Sequence, residues 1–280
     1  FPKRAVVVGG GYIAVEFAGI FKGLGADSHL LYRGPLFLRK FDDGVRSFVA
    51  DELSKKGIHL HFNTNVTAVE KNANDTLKVI TREEGEIEAD LVMYATGRNP
   101  ATHDIGLENV KVNTRPDGAI IVDDYFQTSE PSIYALGDVI GRIQLTPVAI
   151  AEAMAFAKTQ FQGQPTKMDY DNVATAVFCQ PNIGTVGLTE ADAREQYDEI
   201  EVYESSFRPM KHTLSGSDER TMMKIIVDKA SDLVIGVHMV GPEAGEIIQG
   251  MSVAMKAGAT KAILDSTVGI HPTTAEEFVT

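Results

Sequence analysis

Ala5-Val6-Val7-Val8 reads as a buried parallel strand, and it runs straight into Gly9-Gly10-Gly11-Tyr12-Ile13-Ala14, which fits the pattern G-x-G-x-x-A. Each residue type answers a local demand. Gly9 makes the tight strand-to-helix turn, Gly11 lets a pyrophosphate approach the backbone, and Ala14 lets the helix pack closely on the strand. The helix that follows carries Ile13, Phe17, Ile20, Phe21 and Leu24 as its expected apolar stripe and ends at Gly25. Its N-terminal N–H groups and partial positive charge would face the pyrophosphate.

A second strand is expected at Ser28 to Tyr32, completing the start of a βαβ unit. In folds specific for NAD an acidic residue near the end of this strand bonds the ribose 2′-hydroxyl. Here Tyr32 stands in that place, followed by Arg33 and then Arg39. Two planar, permanently charged guanidinium groups suit a 2′-phosphate, so the pattern points to NADPH. The plainer alternative is that both arginines are surface charges.

The chain has 280 residues, a length that suggests about two domains, and its 44% hydrophobic content is that of a globular protein. A formal net charge of −13 argues against a nucleic-acid partner, which needs a basic face. No apolar run approaches the ~18 residues of a membrane span. No charged region followed by an apolar one opens the sequence as in a signal peptide, so a cytoplasmic location is expected. The single cysteine, Cys179, has no partner for an intramolecular disulfide, and after the apolar run Thr175 to Phe178 it reads as a small buried hydrophobe. No metal ligands are assigned.

The pattern changes twice along the chain. Residues 1–98 continue the βαβ start with a charged helix near Asp43 to Lys56 and strands at Ile58 to Phe62, Val66 to Glu70 and Thr76 to Thr81. They close on the buried strand Asp90 to Tyr94, which runs into Ala95-Thr96-Gly97-Arg98. Residues 99–165 are loop-rich, with strand-like Ala119 to Val122 and a strand from Ser132 that ends in Gly137-Asp138. Thr146-Pro147 then opens a long helix through Phe161, with Thr146 expected as its N-cap. Residues 166–280 read as α+β, with strands at Val173 to Phe178, Gly184 to Gly187, Ile200 to Phe207, Thr221 to Asp228 and Leu233 to Val240. Helices are expected from Glu190, Glu243, Lys261 and Thr274.

Four segments together resemble the pyridine nucleotide-disulfide oxidoreductases, and within that family the glutathione reductases most closely. They are Val8 to Glu16, Ala95 to Arg98, Tyr134-Ala135-Leu136-Gly137-Asp138 with Gln144-Leu145-Thr146-Pro147, and His271-Pro272-Thr273-Thr274-Ala275-Glu276-Glu277. Their order and spacing match the family across essentially the whole chain. The resemblance implies an α/β architecture: a Rossmann-like NADPH domain (1–98), the returning part of an FAD domain (99–165) and an α+β dimerisation domain (166–280).

The same resemblance gives roles to residues. Gly9, Gly10, Gly11, Tyr12, Ile13, Ala14, Glu16, Arg33, Arg39 and Gly97 map onto the NADPH side, with Tyr12 in the place of a tyrosine that covers the flavin. Asp138 matches an aspartate that bonds the ribityl chain of FAD, and Leu145 and Thr146 match a helix start beside the flavin pyrimidine ring. There a helix N-terminus favours the negative charge of the reduced ring. His271 and Glu276 resemble a catalytic pair that reaches into the partner subunit of a homodimer, the histidine handling protons and the carboxylate orienting it. Thr273-x-x-Glu276 also fits a capping box, which leaves a purely structural role open for Glu276.

The implied reaction is electron transfer from NADPH through FAD and an active-site disulfide to glutathione disulfide. The family's redox cysteine pair and its FAD-binding G-x-G-x-x-G lie in an N-terminal segment with no counterpart in these residues, so the chain alone is expected to be inactive. That segment also supplies the family's lysine partner for Glu16. Met154 stands where glutathione reductases commonly carry an arginine near the substrate. Trypanothione reductases are uncharged at that place too, and reduction of trypanothione or another small disulfide is the alternative reading. A non-catalytic nucleotide-binding and dimerisation module is the reading from a different class.

Overall fold

The expected βαβ start is present and extends into a parallel sheet. In the computed structural model, which describes residues 1–279, the strand β1 (Arg4–Val8) leads into the helix α1 (Tyr12–Gly23) and then β2 (Asp27–Tyr32). The helix α2 (Asp43–Lys55) and the strand β3 (His59–Phe62) follow. Next come β4 (Val66–Lys71), β5 (Leu77–Thr81), β6 (Glu86–Ala89) and β7 (Leu91–Tyr94). The sheet order β3-β2-β1-β7, parallel throughout, is that of a dinucleotide-binding half. Val7 and Leu30 point to the side on which Ala14, Ala18, Val45 and Val49 are buried. Val6 and Leu31 point to the other, against Val79 and Ala89 of the antiparallel sheet β4-β5-β6.

The packed face of α1 differs from the expected stripe. Ala14, Val15 and Ala18 are its buried residues, whereas Phe17, Ile20 and Leu24 are 38%, 48% and 64% exposed. The helix is apolar on most of its circumference, so periodicity does not identify the face that meets the sheet. Small side chains do, because they allow close approach. The buried Ser28 hydroxyl uses that proximity to donate to the Ala18 carbonyl at 2.9 Å.

Two compact units form: Phe1–Thr96 together with the stretch from Asp171 on, and Gly97–Tyr170. The second unit is held by one long helix, α3 (Thr146–Phe161), a 3-10 turn at Gly137–Ile140, and a small core of Ile120, Phe126, Ala135, Ile140 and Ala155. The strands expected at Ala119 to Val122 and from Ser132 reduce to isolated bridges, Thr114 with Ile120 and Gln127 with Tyr134. Thr146 is the first residue of α3 rather than its cap: extended Leu145 precedes it as N-cap and offers no side-chain bond.

The remainder of the first unit contains β8 (Thr175–Val177), β9 (Ile183–Gly187), α4 (Glu190–Gln196), β10 (Ile200–Phe207), α5 (Lys211–Ser215) and β11 (Thr221–Asp228). It ends with β12 (Val234–Val240), α6 (Ala244–Lys256), α7 (Lys261–Ser266) and a 3-10 turn at Thr274–Phe278, where a helix was expected. The antiparallel sheet runs β10-β11-β12-β9-β8. Its central strand β12 is buried along its whole length, and β11 along all but its last residue. Val177, Ile183, Met222 and Val240 belong to the same apolar cluster as Leu30, Val45 and Leu53, so the parallel sheet and the five-stranded sheet of this unit share a core.

Candidate functional site

The glycine turn between β1 and α1 is built for close approach. Gly9 has φ +152°, and a Cβ there would run into the carbonyl of Ala95, the residue that follows β7. At Gly10 a Cβ would collide with the ring of Tyr32, so this glycine serves the packing of the end of β2. Gly11 differs: a Cβ would meet no atom within 4 Å, and this residue is the N-cap of α1 without any side-chain cap. No acidic side chain stands in the first helical turn, so the positive end of the helix faces open space next to Gly11, Tyr12 and Ile13. Gly97 follows β7 with φ +129°.

Arg33 and Arg39 both lie exposed in the loop after β2, and among the described residues neither has an ion-pair or hydrogen-bond partner. The loop itself is fixed. The Leu38 N–H donates to the Gly10 carbonyl at 2.7 Å, Phe37 is fully buried, and Arg46 donates to the carbonyls of Leu36 and Phe37, each at 2.7 Å. Two uncommitted guanidinium groups therefore sit on a loop that is bonded to the glycine turn.

Glu16, one helical turn beyond the glycines, accepts the Phe178 N–H at 2.9 Å. Next to it Cys179 is buried and unpaired, its thiol donating to the Pro181 carbonyl at 3.0 Å. Burial, reinforced by the Glu16 charge, pushes the thiol up to about 12, which keeps it protonated and inert at neutral pH.

In the second unit the Gly137-Asp138 turn is held by a residue that sequence reasoning missed. Glu152 of α3 is buried and accepts the Gly137 N–H at 2.6 Å and the Tyr170 hydroxyl at 2.7 Å, and Arg142 donates to that hydroxyl at 2.9 Å. The one signal in the sequence is a carboxylate in the otherwise apolar row Val148, Glu152, Ala155. Asp138 is left exposed beside this anchor, and Leu145 and Thr146 present the uncapped, acid-free N-terminus of α3. Met154 is 56% exposed on the same helix.

Near the end of the chain His271 and Glu276 come together: the histidine Nδ1 lies 3.2 Å from both carboxylate oxygens. Thr273, N-cap of the 3-10 turn, makes no side-chain capping bond, so Glu276 is engaged with the histidine rather than in a capping box. The His271 side chain is 79% exposed while Glu276 is mostly buried, an arrangement that anchors the carboxylate and offers the imidazole to the outside.

Comparison with known proteins fits this geometry. The family profile described as pyridine nucleotide-disulphide oxidoreductase matches residues 1–153, and that of the family's dimerisation domain matches residues 173–280. The chain belongs to the pyridine nucleotide-disulphide oxidoreductase family. It is 52% identical over 279 residues to a glutathione reductase of Burkholderia cepacia and, over the same length, 52% identical to the chloroplastic/mitochondrial glutathione reductase of Pisum sativum. It is 45% identical over 282 residues to a trypanothione reductase of Leishmania donovani. Each of these alignments takes in 99–100% of the chain but only 62%, 50% and 57% of the respective relative. Among solved structures, the HOCl-induced flavoprotein disulfide reductase RclA from Escherichia coli superposes with a TM-score of 0.90 at 29% identity, over 99% of this chain and 63% of that one. The chain thus spans between half and two thirds of the length of these relatives. Among the described residues no helix is long and apolar enough to cross a membrane.

Proposed function

We propose that the chain is the NADPH-binding, partial FAD-binding and dimer-forming portion of an NADPH-dependent flavoprotein disulfide reductase whose substrate is glutathione disulfide. The observation that carries the reading is the uncommitted pair Arg33 and Arg39 on the loop bonded to the glycine turn. Residues 1–98 are assigned to NADPH, 99–165 to the FAD side and 166–280 to the interface of a homodimer. The relatives' names support the substrate class, and the acidic net charge of −13 supports a small-molecule rather than a nucleic-acid partner. The cytoplasm is the proposed compartment: a lone, buried, unpaired cysteine makes no demand for oxidising surroundings.

The residues present fit both cofactors. The open space at Gly11 and the acid-free helix start suit a pyrophosphate, with Gly9, Gly10, Ile13 and Ala14 shaping the turn and Arg33 and Arg39 taking the 2′-phosphate. Tyr12 and Gly97 would line the nicotinamide side, and Glu16, bonded to the Phe178 N–H, fixes the helix that carries the turn. Asp138 would accept a hydroxyl of the FAD ribityl chain, and the start of α3 at Leu145 and Thr146 would lie beside the ring. Together the two cofactors supply hydride transfer and a two-electron store. The protein's own acid–base work falls to His271: Glu276 holds the proton on Nδ1, which leaves Nε2 as the atom that gives a proton to a departing thiolate and takes it back. The redox cysteine pair must come from residues beyond these 280, since Cys179 is the chain's single cysteine.

The test is a coupled assay on the protein that contains this chain together with the segment its relatives carry. NADPH oxidation driven by glutathione disulfide and by trypanothione disulfide is measured side by side. Preference for glutathione disulfide is expected. Preference for trypanothione disulfide would shift the assignment to the sibling activity that an uncharged Met154 also suits, and no turnover with either would overturn the reading.

A further inference from the structure

Three histidines with no part in the reaction just described gather on one face of the parallel sheet. Parallel pairing sets His29 of β2 opposite His59 of β3, and Leu31 opposite His61. Because side chains alternate along a strand, Asp27 and His29 share a face, as do His59 and His61. His59 Nε2 lies 3.0 Å from one Asp27 carboxylate oxygen and His29 Nε2 lies 3.5 Å from the other. Donor atoms of these three residues all fall within 4.8 Å of one another. The His29 and His61 side chains are mostly buried, while those of Asp27 and His59 are about half exposed, so the cluster has a fixed floor and an open mouth.

The hydrogen bonds beneath the cluster select one set of neutral tautomers. Glu84 accepts from His61 Nδ1, and in the neutral ring the Nε2 of His61 is then an acceptor. The Nδ1 of His29 lies 2.9 Å from that Nε2 and, with both rings neutral, donates to it, which leaves the lone pair of His29 on Nε2, facing the Asp27 carboxylate. An imidazole lone pair and an anionic oxygen that face each other with no proton between them repel. A cation turns that repulsion into coordination.

We propose that Asp27, His29 and His59 bind one borderline divalent transition-metal ion, zinc first among them, with His61 and Glu84 positioning His29 from behind. Two imidazole nitrogens and a carboxylate are the donor set that borderline metals take, and three protein ligands with a water completing a tetrahedron make a familiar zinc site. Bonds of ~2.0–2.2 Å require the donors to close only modestly from their present separations. To bind through Nε2, which now faces Asp27, a neutral His59 carries its ring proton on Nδ1 instead. The Glu84–His61–His29 relay is the carboxylate-to-histidine support that orients metal-bound imidazoles. The ion would tie the edge strand β3 to β2, away from the glycine turn.

The experiment is equilibrium dialysis of the intact protein against zinc chloride with metal counted per chain, repeated for His29→Gln/His59→Gln, Asp27→Asn, His61→Gln and the control His103→Gln. The double variant should retain one ion per chain fewer than wild type. Asp27→Asn, at a half-exposed side chain, repeats that loss with the packed face left intact, and His61→Gln should weaken binding by about 10- to 100-fold. Cobalt in place of zinc should give the visible absorption of a tetrahedral ion in the wild type and in His103→Gln, and not in the double variant. Zinc retained equally by the wild type and the double variant, or by neither, overturns the proposal.

Discussion

The Lys224 ammonium lies 2.9 Å from Asp42 Oδ1, with the two side chains only 4% and 1% exposed. This pair joins β11 to the loop that starts α2. Asp42 is fully committed: it also accepts the Gly44 N–H as the N-cap of α2 and the Glu190 N–H at the start of α4, each at 2.9 Å. Glu190 returns a carboxylate oxygen to Lys224 at 2.7 Å. Three elements of the first unit therefore meet at one buried, satisfied charge cluster, which is the arrangement under which burying an ion pair is tolerable.

Lys224→Met removes the cation and strands a buried carboxylate, and the expected loss is about 3–5 kcal/mol. The double variant Lys224→Met/Asp42→Asn should recover much of it, because asparagine keeps an oxygen for the cap while shedding the charge. Urea unfolding midpoints of the three proteins check this. A double variant no more stable than the single one would show that charge is not what the pair contributes.

Acidification should destabilise the protein in two stages. Burial pushes the His238 imidazole down from its ordinary value, and its nitrogens are taken by Thr185 at 2.5 Å and by the Leu188 carbonyl at 2.9 Å. The unfolded chain takes up that proton first, so stability begins to fall below pH ~6.5. For Asp42 burial alone would raise the carboxyl, but the Glu190 N–H and Lys224 outweigh it and hold it below the carboxylate range. Its contribution is complete above pH ~4 and is lost as pH falls through the depressed value. Lys224, which burial would lower, is held above its ordinary value by Glu190 and Asp42, so its share survives to pH ~10 and is lost only as pH rises through the raised value. In unfolding midpoints measured against pH, His238→Gln should flatten the decline between about pH 7 and 5 and leave the lower one. An unchanged slope in that window would rule out His238 as its source.

How much was legible in the sequence depended on where the signal lay. The glycine turn, the second strand and the arginine pair are contiguous, and each has a residue-level reason, so they could be placed in advance. Strand β6 was not read because Glu86-Ile87-Glu88-Ala89 is half acidic and becomes a strand only by pairing with β5. The packed face of α1 was misjudged because apolar residues surround the helix and the choice falls to alanines. Thr146 looked like a cap because its residue type is right, but the chain turns helical one residue earlier than that reading needs. The Asp27, His29 and His59 cluster is created by parallel pairing of strands distant in sequence, which no local pattern reveals.

His271 separates catalysis from structure. In the longer protein, His271→Gln should leave flavin reduction by NADPH near normal and slow reoxidation by the disulfide on the order of 100-fold, since only the second step needs a proton at the thiolate. Mixed dimers with a partner altered only at its cysteine pair should recover about one working site in two if the histidine serves the opposite subunit. Rapid-reaction traces of the two half-reactions check this. Equal slowing of both would mean a defect in folding or assembly instead.

Arg33 and Arg39 are the proposed reason for NADPH preference, and affinities for NADPH and NADH in the wild type and in Arg33→Ala/Arg39→Ala put that role to the test. Each lost charge-assisted bond to the 2′-phosphate should cost about 1.5–3 kcal/mol of NADPH binding and leave NADH, which lacks that phosphate, almost unaffected. The predicted result is a wild type that strongly prefers NADPH and a double variant in which the two affinities converge. A double variant that keeps the wild-type ratio of affinities would contradict the account.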